Sequence, residues 1–202
     1  MSSVVDYYFA PISGFAYLGE PRLMAIAEQA GVSVRFRPVD IGVVFAASDA
    51  TPPAKQSPAR LGYRLQDMKR QGERWSLPIN PKPKYWPVPP ALAGRLILSA
   101  EAAGIEPHAV SFALLKAIYA EEKDISNEDT VAAVLADAGL DAGNLLQLAT
   151  APKAVAAFEA STQEAVDRGV FGSPTYVLDD EMFFGQDRLG DLAWRLGVEV
   201  GF

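Results

Sequence analysis

The order of strand and helix patterns near the start of the chain constrains its fold more than any other feature. Residues 3–9 are rich in β-branched and aromatic side chains and predict a first strand. Residues 20–31 have a helix pattern that stops at a glycine, and residues 32–41 alternate apolar and polar side chains as a second strand does. Because the connections are short, these elements predict a βαβ unit with parallel, neighbouring strands.

The C-terminal part of the chain returns to strands. Residues 176–178 and 182–184 are two short apolar stretches separated by the turn Asp179-Asp180, and a last helix is expected from about Arg188. Strands joined this tightly pair as an antiparallel hairpin. The complete order, βαβ…ββα with a mixed four-stranded sheet, predicts an α/β fold with a thioredoxin-like core.

The middle of the chain is helical. Helix patterns cover residues 59–74, 91–103, 107–121, 128–138, 141–148 and 152–168. Six prolines within residues 78–90 suit neither a helix nor a central strand. We therefore predict a thioredoxin-like domain formed by residues 1–50 and 151–202, and a large all-helical insertion at residues 51–150.

Composition excludes several classes of function. The 202 residues include no cysteine, so the chain can form no disulfide, thiolate metal site or redox dithiol of its own. With one histidine, His108, and no carboxylate cluster at ligand spacing, we expect no metal site. A net charge of -7 disfavours nucleic-acid binding. Neither a signal peptide nor a membrane span is evident, so we expect no membrane association and a cytoplasmic location.

Two turns are candidates for chemistry. Ser13 follows the first strand where a helix is expected to begin, and helix N-termini offer unpaired N–H groups and partial positive charge. From the local sequence alone, a simple N-cap is the favoured interpretation of Ser13. Pro174 stands directly before a predicted strand, either after a cis bond that presents the backbone of Ser173 to a peptide or as an ordinary trans loop proline. In a thioredoxin-like arrangement these two turns lie side by side.

Three stretches together resemble a known family. They are VDYYFAPISGFAYLG, PKPKYWP and GVFGSPTYVLDDEMFFGQDRL. They are similar to 2-hydroxychromene-2-carboxylate isomerases, which are relatives of the kappa-class glutathione transferases in the disulfide-oxidoreductase A-like branch of the thioredoxin superfamily. The resemblance spans nearly the whole chain. It implies glutathione as a cofactor, a small aromatic molecule as the substrate, and a homodimer.

The resemblance also implies roles for individual residues. Ser13 falls where the family has its catalytic serine, in the SGFA segment that replaces the Cys-x-x-Cys of redox relatives. Ser173 and Pro174 match the residue and cis-proline that dock the cysteinyl backbone of glutathione. Gln186 and Asp187 match the positions that hold its γ-glutamyl end, and Asp187 is also expected to cap the last helix.

The implied reaction is a cis–trans isomerisation in aromatic catabolism. A glutathione thiolate, stabilised by the hydroxyl of Ser13, adds to an unsaturated aromatic pyruvate, the former double bond rotates, and the thiol is expelled. Cations at Lys55, Lys84 or Arg95 are candidates for holding the keto-carboxylate. Stacking on the aromatic ring is proposed for two further residues, Tyr85 and Trp86. The alternative for this aromatic pair is packing of the helical insertion against the core.

Two other functions stay open. A kappa-like glutathione transferase would use the same thiol site and conjugate its substrate rather than isomerise it. A thioredoxin-fold binding module that has lost its cysteines would bind without turnover. His108 lies at a predicted helix start and is expected on the surface.

Overall fold

The computed structural model describes residues 4–199 and has a four-stranded mixed sheet at its centre. The strands are β1 (Val4–Phe9), β2 (Ser33–Pro38), β3 (Thr175–Leu178) and β4 (Glu181–Phe184). Their order is β2-β1-β3-β4, with β1 parallel to β2 and antiparallel to β3. The predicted βαβ unit, hairpin and mixed sheet are confirmed; residue 3 of the predicted first strand lies outside the described residues.

Nine α-helices surround the sheet within the described part of the chain. They are α1 (Gly14–Ala30), α2 (Ile41–Ala47), α3 (Pro58–Arg74), α4 (Ala91–Ala102), α5 (Pro107–Tyr119), α6 (Glu128–Asp137), α7 (Ala142–Thr150), α8 (Pro152–Asp167) and α9 (Leu189–Arg195). Short 3-10 helices occupy Pro53–Lys55 and Gln186–Arg188. The predicted helices from residue 59 onward agree with these bounds to within about two residues, as expected for helix ends.

Helix α1 starts earlier than its sequence pattern predicts. It begins at Gly14, not residue 20, and Pro21 lies inside it. Gly14, Gly19 and Pro21 are poor helix formers, but burial of the first turn overrides their propensity. The predicted end is confirmed: Gly31 adopts a left-handed φ of 66° and its N–H closes the last turn.

Helix α2 is not predicted by the sequence pattern, and the second strand ends at Pro38 rather than at residue 41. Proline cannot donate to a further ladder bond, which stops the strand. The carboxylate of Asp40 then accepts a hydrogen bond from the N–H of Gly42 at 2.9 Å and starts the helix.

Both faces of the sheet are covered, and alternate residues of β1 enter different apolar clusters. Tyr7 belongs to the larger cluster, which extends to Leu96 on α4 and Leu114 on α5. Tyr8 points into a smaller cluster with Val44 on α2. Within residues 4–199, no helix is both long and apolar enough to cross a bilayer.

The larger cluster contains residues of the sheet and of the helical block alike. The division into a domain of residues 1–50 and 151–202 and an insertion at 51–150 therefore stays a prediction.

Candidate active site

Ser13 lies in the turn between β1 and α1. Its N–H donates to the carbonyl oxygen of Ala10 at 2.9 Å, and its Oγ accepts from the N–H of Ala16 at 3.3 Å. Ser13 is thus the N-cap of α1, as the local sequence predicts. The residue is 8% exposed, so its hydroxyl lies at the positive end of a 17-residue helix and is largely shielded from water.

The loop before β3 lies against this turn. The hydroxyl of Ser13 donates to the carbonyl oxygen of Ser173 at 3.5 Å, and the N–H of Ala10 donates to Ser173 Oγ at 2.8 Å. The Ser173–Pro174 peptide bond is cis, which decides between the two interpretations of Pro174. The expected adjacency of the two turns is therefore observed, although the roles of these residues toward a ligand stay predictions.

Two side chains of the helical block hold the Ser13 turn in place. The carbonyl oxygen of Ile12 accepts from Trp86 Nε1–H at 2.9 Å and from the Tyr119 hydroxyl at 2.8 Å. Trp86 therefore packs the helical block against the core, which is the alternative role considered for it above. Its proposed stacking on a substrate ring stays a prediction. Nothing in the sequence around Tyr119 points to the site, because the contact spans more than a hundred residues.

Helix α3 crosses the first turn of α1. A Cβ at Gly14 would lie 2.2 Å from Met68 Cε and 3.0 Å from the Tyr119 ring, so the two helices approach closely there. From the same helix, the guanidinium of Arg64 lies 4.6 Å from the ring centroid of Phe15. Arg64 is half-buried, and burial lowers its pKa. The sequence offers no signal that singles it out from the other basic residues of α3.

The predicted γ-glutamyl site is at the 3-10 helix before α9. Gln186 is 3% exposed, and its Oε1 accepts a hydrogen bond from Arg22 Nη2 of α1. Asp187 is exposed, and its carboxylate pairs with Arg188 at 3.0 Å. The expected capping role of Asp187 is wrong, because α9 begins at Leu189 without a side-chain cap.

Arg22 is a cation that the sequence patterns do not reveal as part of the site. Its guanidinium lies 4.2 Å from the ring centroid of Trp75. Burial lowers the pKa of Arg22 to about 10, while the nearby carboxylate of Asp187 acts in the opposite direction. Positive and negative side chains thus lie close together beside Gln186.

The other predicted binding residues are Lys55, Lys84, Tyr85 and Arg95, and their roles toward a substrate stay predictions. Lys55 ends the exposed 3-10 helix, and the ammonium of Lys84 lies 4.9 Å from the ring centroid of Tyr85, which is exposed. Arg95 donates from Nε to the carbonyl of Ala91 on its own helix at 3.2 Å. It lines a separate cavity of about 410 Å³ between α2, α4 and α8. Within residues 4–199, no hydrogen bond or ion pair joins these cations to the Ser13 turn.

A buried carboxylate lies further along α1. Glu20 is fully buried and accepts hydrogen bonds from Ser111 Oγ at 2.7 Å and from the Tyr7 hydroxyl at 3.3 Å. Nδ1 of His108 lies 2.9 Å from Glu20 Oε1. The expected surface histidine is therefore only partly exposed, at 29% of its side chain, and contacts a buried carboxylate. Burial raises the pKa of Glu20 above its ordinary value despite these hydrogen bonds.

Strand β1 ends at a helix-capping turn, and this turn lies against the cis-proline loop that precedes the adjacent antiparallel strand β3. This arrangement defines a thioredoxin-like protein. The chain belongs to the family described as the DSBA-like thioredoxin domain, whose model matches residues 4–197.

Similar proteins cover the chain almost completely. A 2-hydroxychromene-2-carboxylate isomerase of Sphingobium xenophagum is 27% identical over 192 residues, 94% of this chain and 95% of the relative. The glutathione S-transferase kappa 1 of Caenorhabditis elegans is 25% identical over 196 residues, covering 91% and 86% of the two chains. A solved structure of a 2-hydroxychromene-2-carboxylate isomerase superposes with a TM-score of 0.80 at 26% identity and covers 96% of this chain and 94% of its own. The predicted resemblance is confirmed.

Proposed function

We propose that this protein is a glutathione-dependent cis–trans isomerase of 2-hydroxychromene-2-carboxylate or a similar unsaturated aromatic pyruvate in aromatic catabolism. The observation that carries the proposal is the hydroxyl of Ser13, placed at the N-terminus of α1 and facing the cis Ser173–Pro174 peptide. Full-length similarity to isomerases supports the reaction type.

The residues at the site suit glutathione. When bound, glutathione supplies a thiolate for reversible addition to the substrate double bond. The chain has no sulfur nucleophile of its own, since it has no cysteine. As a donor, the hydroxyl of Ser13 makes only a long bond of 3.5 Å to the carbonyl oxygen of Ser173, and it can turn to donate to an anion. Lowering a thiol pKa by ~1.5 units takes about 2 kcal/mol, which the helix dipole and charge-assisted hydrogen bonds can supply.

The remaining parts of the tripeptide are assigned to neighbouring groups. The backbone of Ser173, with Pro174, would pair with the cysteinyl segment as a short strand edge. The exposed carboxylate of Asp187 would accept the α-ammonium group, and Gln186 would bind beside it. Arg22, which donates to Gln186, adds a positive charge suited to the α-carboxylate.

The aromatic substrate is proposed to bind on the side of the helical block. Tyr85 and Trp86 are proposed to stack on its ring, and Trp86 is already joined to the Ser13 turn through Ile12. Three cations, Lys55, Lys84 and Arg95, remain proposed for its keto-carboxylate. We further propose a cytoplasmic location and a homodimer. Gel filtration with light scattering tests the homodimer directly.

The decisive experiment compares Ser13→Ala with the wild type in an isomerase assay with and without glutathione. We expect turnover to fall at least ~10-fold, because one charge-assisted hydrogen bond of ~1.5–3 kcal/mol is lost. Asn127→Ala is the matched control, since Asn127 caps α6 through the N–H of Thr130 at 2.9 Å and lies in an exposed loop. Equal rates in S13A and wild type, or a wild-type rate that ignores glutathione, would refute the proposal.

A kappa-like transferase is the second candidate, favoured by the similarity to the nematode enzyme. Conjugation of an electrophile to glutathione, assayed beside isomerisation, separates the two reactions. A non-catalytic binding module would bind glutathione and show neither activity.

A further inference from the structure

We propose that Arg64 binds a carboxylate of the ligands that occupy the Ser13 site. This inference rests on the proposed function and adds to it a residue that the family resemblance does not supply. The carboxylate comes either from the glycyl end of glutathione or from the keto-acid of the aromatic substrate, and the experiments below distinguish these sources.

The position of Arg64 carries the first part of the argument. It lies on α3, whose Met68 reaches the first turn of α1 beside Gly14. Its guanidinium covers the ring of Phe15, two residues beyond Ser13, at 4.6 Å. The charge of Arg64 also opposes the burial-driven rise in the pKa of Tyr119, whose hydroxyl contacts Ile12. Arg64 therefore adjoins the same turn that presents the Ser13 hydroxyl.

The charge balance carries the second part. Within the described residues no carboxylate lies within ion-pair distance of Arg64. The nearby acid on its helix, Asp67, pairs with Arg70 at 2.8 Å. The face of Phe15 and the more distant charge of Asp67 offset only part of the hydration that the half-buried guanidinium of Arg64 loses, since burial still lowers its pKa. A ligand carboxylate would add a charge-assisted, two-pronged hydrogen bond. Arg60, one turn earlier on α3, is exposed and remains hydrated.

The placement also fits the ligands. A carboxylate held by Arg64 would lie on the α3 side of the Ser13 turn. The γ-glutamyl site proposed at Asp187 lies at the opposite end of the tripeptide, near Arg22. Charged groups would then fix both ends of an extended tripeptide, or one end of it and the keto-acid of the substrate.

The test compares Arg64→Gln with the wild type, and uses Arg60→Gln as the control on the same helix. Isothermal titration measures glutathione affinity, and steady-state kinetics measure KM for glutathione and for 2-hydroxychromene-2-carboxylate. We expect R64Q to weaken one of these ligands by at least ~10-fold, equivalent to about 1.4 kcal/mol. R60Q should change each value less than about twofold. Arg64→Lys, which retains the charge and the packing on Phe15, should give an intermediate loss.

A second thiol ligand, γ-glutamylcysteine, identifies the source of the carboxylate that Arg64 binds. If it is the glycyl group, the titrated glutathione affinity falls in R64Q, and γ-glutamylcysteine, which lacks glycine, binds wild type and R64Q equally. If it is the keto-acid, glutathione affinity is unchanged and only the KM for the aromatic substrate rises.

The inference is wrong if the wild type binds and uses glutathione while R64Q and R64K match it in every value. A wild type that neither binds nor uses glutathione would instead refute the proposed function. Circular dichroism and urea unfolding establish that each variant is folded before these comparisons are made.

Discussion

The carbonyl oxygen of Ile12 accepts two hydrogen bonds, and this arrangement gives a quantitative test of how the Ser13 turn is held in place. Ile12 is buried, and its oxygen accepts from Tyr119 at 2.8 Å and from Trp86 at 2.9 Å. Tyr119→Phe removes one donor but leaves the oxygen paired, so we expect a loss of about 1 kcal/mol in the free energy of unfolding. Trp86→Phe should cost a similar amount plus a packing loss from its smaller ring.

The double variant should lose more than the sum of the two single losses. Without either donor the buried carbonyl is unpaired, which costs about 1–3 kcal/mol instead of the modest net value of one bond. The packing loss of Trp86→Phe occurs both in its single variant and in the double variant, so it cancels in the cycle. We therefore expect a coupling energy of about 1 kcal/mol, measured by urea unfolding of the four proteins.

A matched control and the refuting result are both available. Tyr63 is 62% exposed, so Tyr63→Phe should change the stability by less than about 0.5 kcal/mol. If the losses of Y119F and W86F add to within about 0.3 kcal/mol, or if Y119F costs nothing, then Ile12 is not held as described. Turnover of the double variant should also fall, because the next residue is Ser13.

Two further predictions concern the carboxylates of Asp187 and Glu20. Asp187→Asn should raise the KM for glutathione and leave turnover at saturation nearly unchanged. The control is Asp191→Asn, which also loses a contact to Arg188 but should leave that KM unchanged. Equal KM values in the wild type and both variants would contradict the γ-glutamyl assignment. For Glu20, the folded protein binds the proton more tightly than the unfolded chain, because burial raises the pKa. Its contribution to stability is present below an unfolded pKa of ~4.3 and is lost as pH rises through the raised folded value, at about 1.4 kcal/mol per unit of pKa difference. Glu20→Gln should remove this slope in urea midpoints measured from pH 4 to 8, and identical slopes would show that Glu20 does not titrate in this way.

The sequence predicts the sheet well because its signals are local. Alternating side chains mark β2, and the two-residue turn between β3 and β4 contains Asp179, whose left-handed φ of 55° suits a tight hairpin. The helix pattern marks α1 only from residue 20, because Gly14 and Pro21 disfavour a helix, and before that point only the N-cap interpretation of Ser13 indicates its start. The first turn is stabilised by this cap and by packing against Met68 of α3 and Tyr119 of α5.

The candidate site shows the same contrast. Ser13 and Ser173–Pro174 can be found from sequence, since each lies in a turn beside a strand and matches a family motif. Arg64 and Tyr119 come from different helices and meet at this turn through tertiary packing alone. No periodicity or spacing marks such contacts, which arise between residues far apart along the chain.

The central position of β1 has a consequence for synthesis on the ribosome. One side of β1 pairs with β2 early, but the other side pairs with β3, so that Val5 lies opposite Leu178. Until Thr175 and the following residues have left the exit tunnel, one edge of β1 has unpaired N–H and C=O groups, and a nascent chain is open to strand pairing with its neighbours. The helices between β2 and β3 pack mostly on one another and can form during this delay, whereas truncated chains that end before β3 should be clients of chaperones.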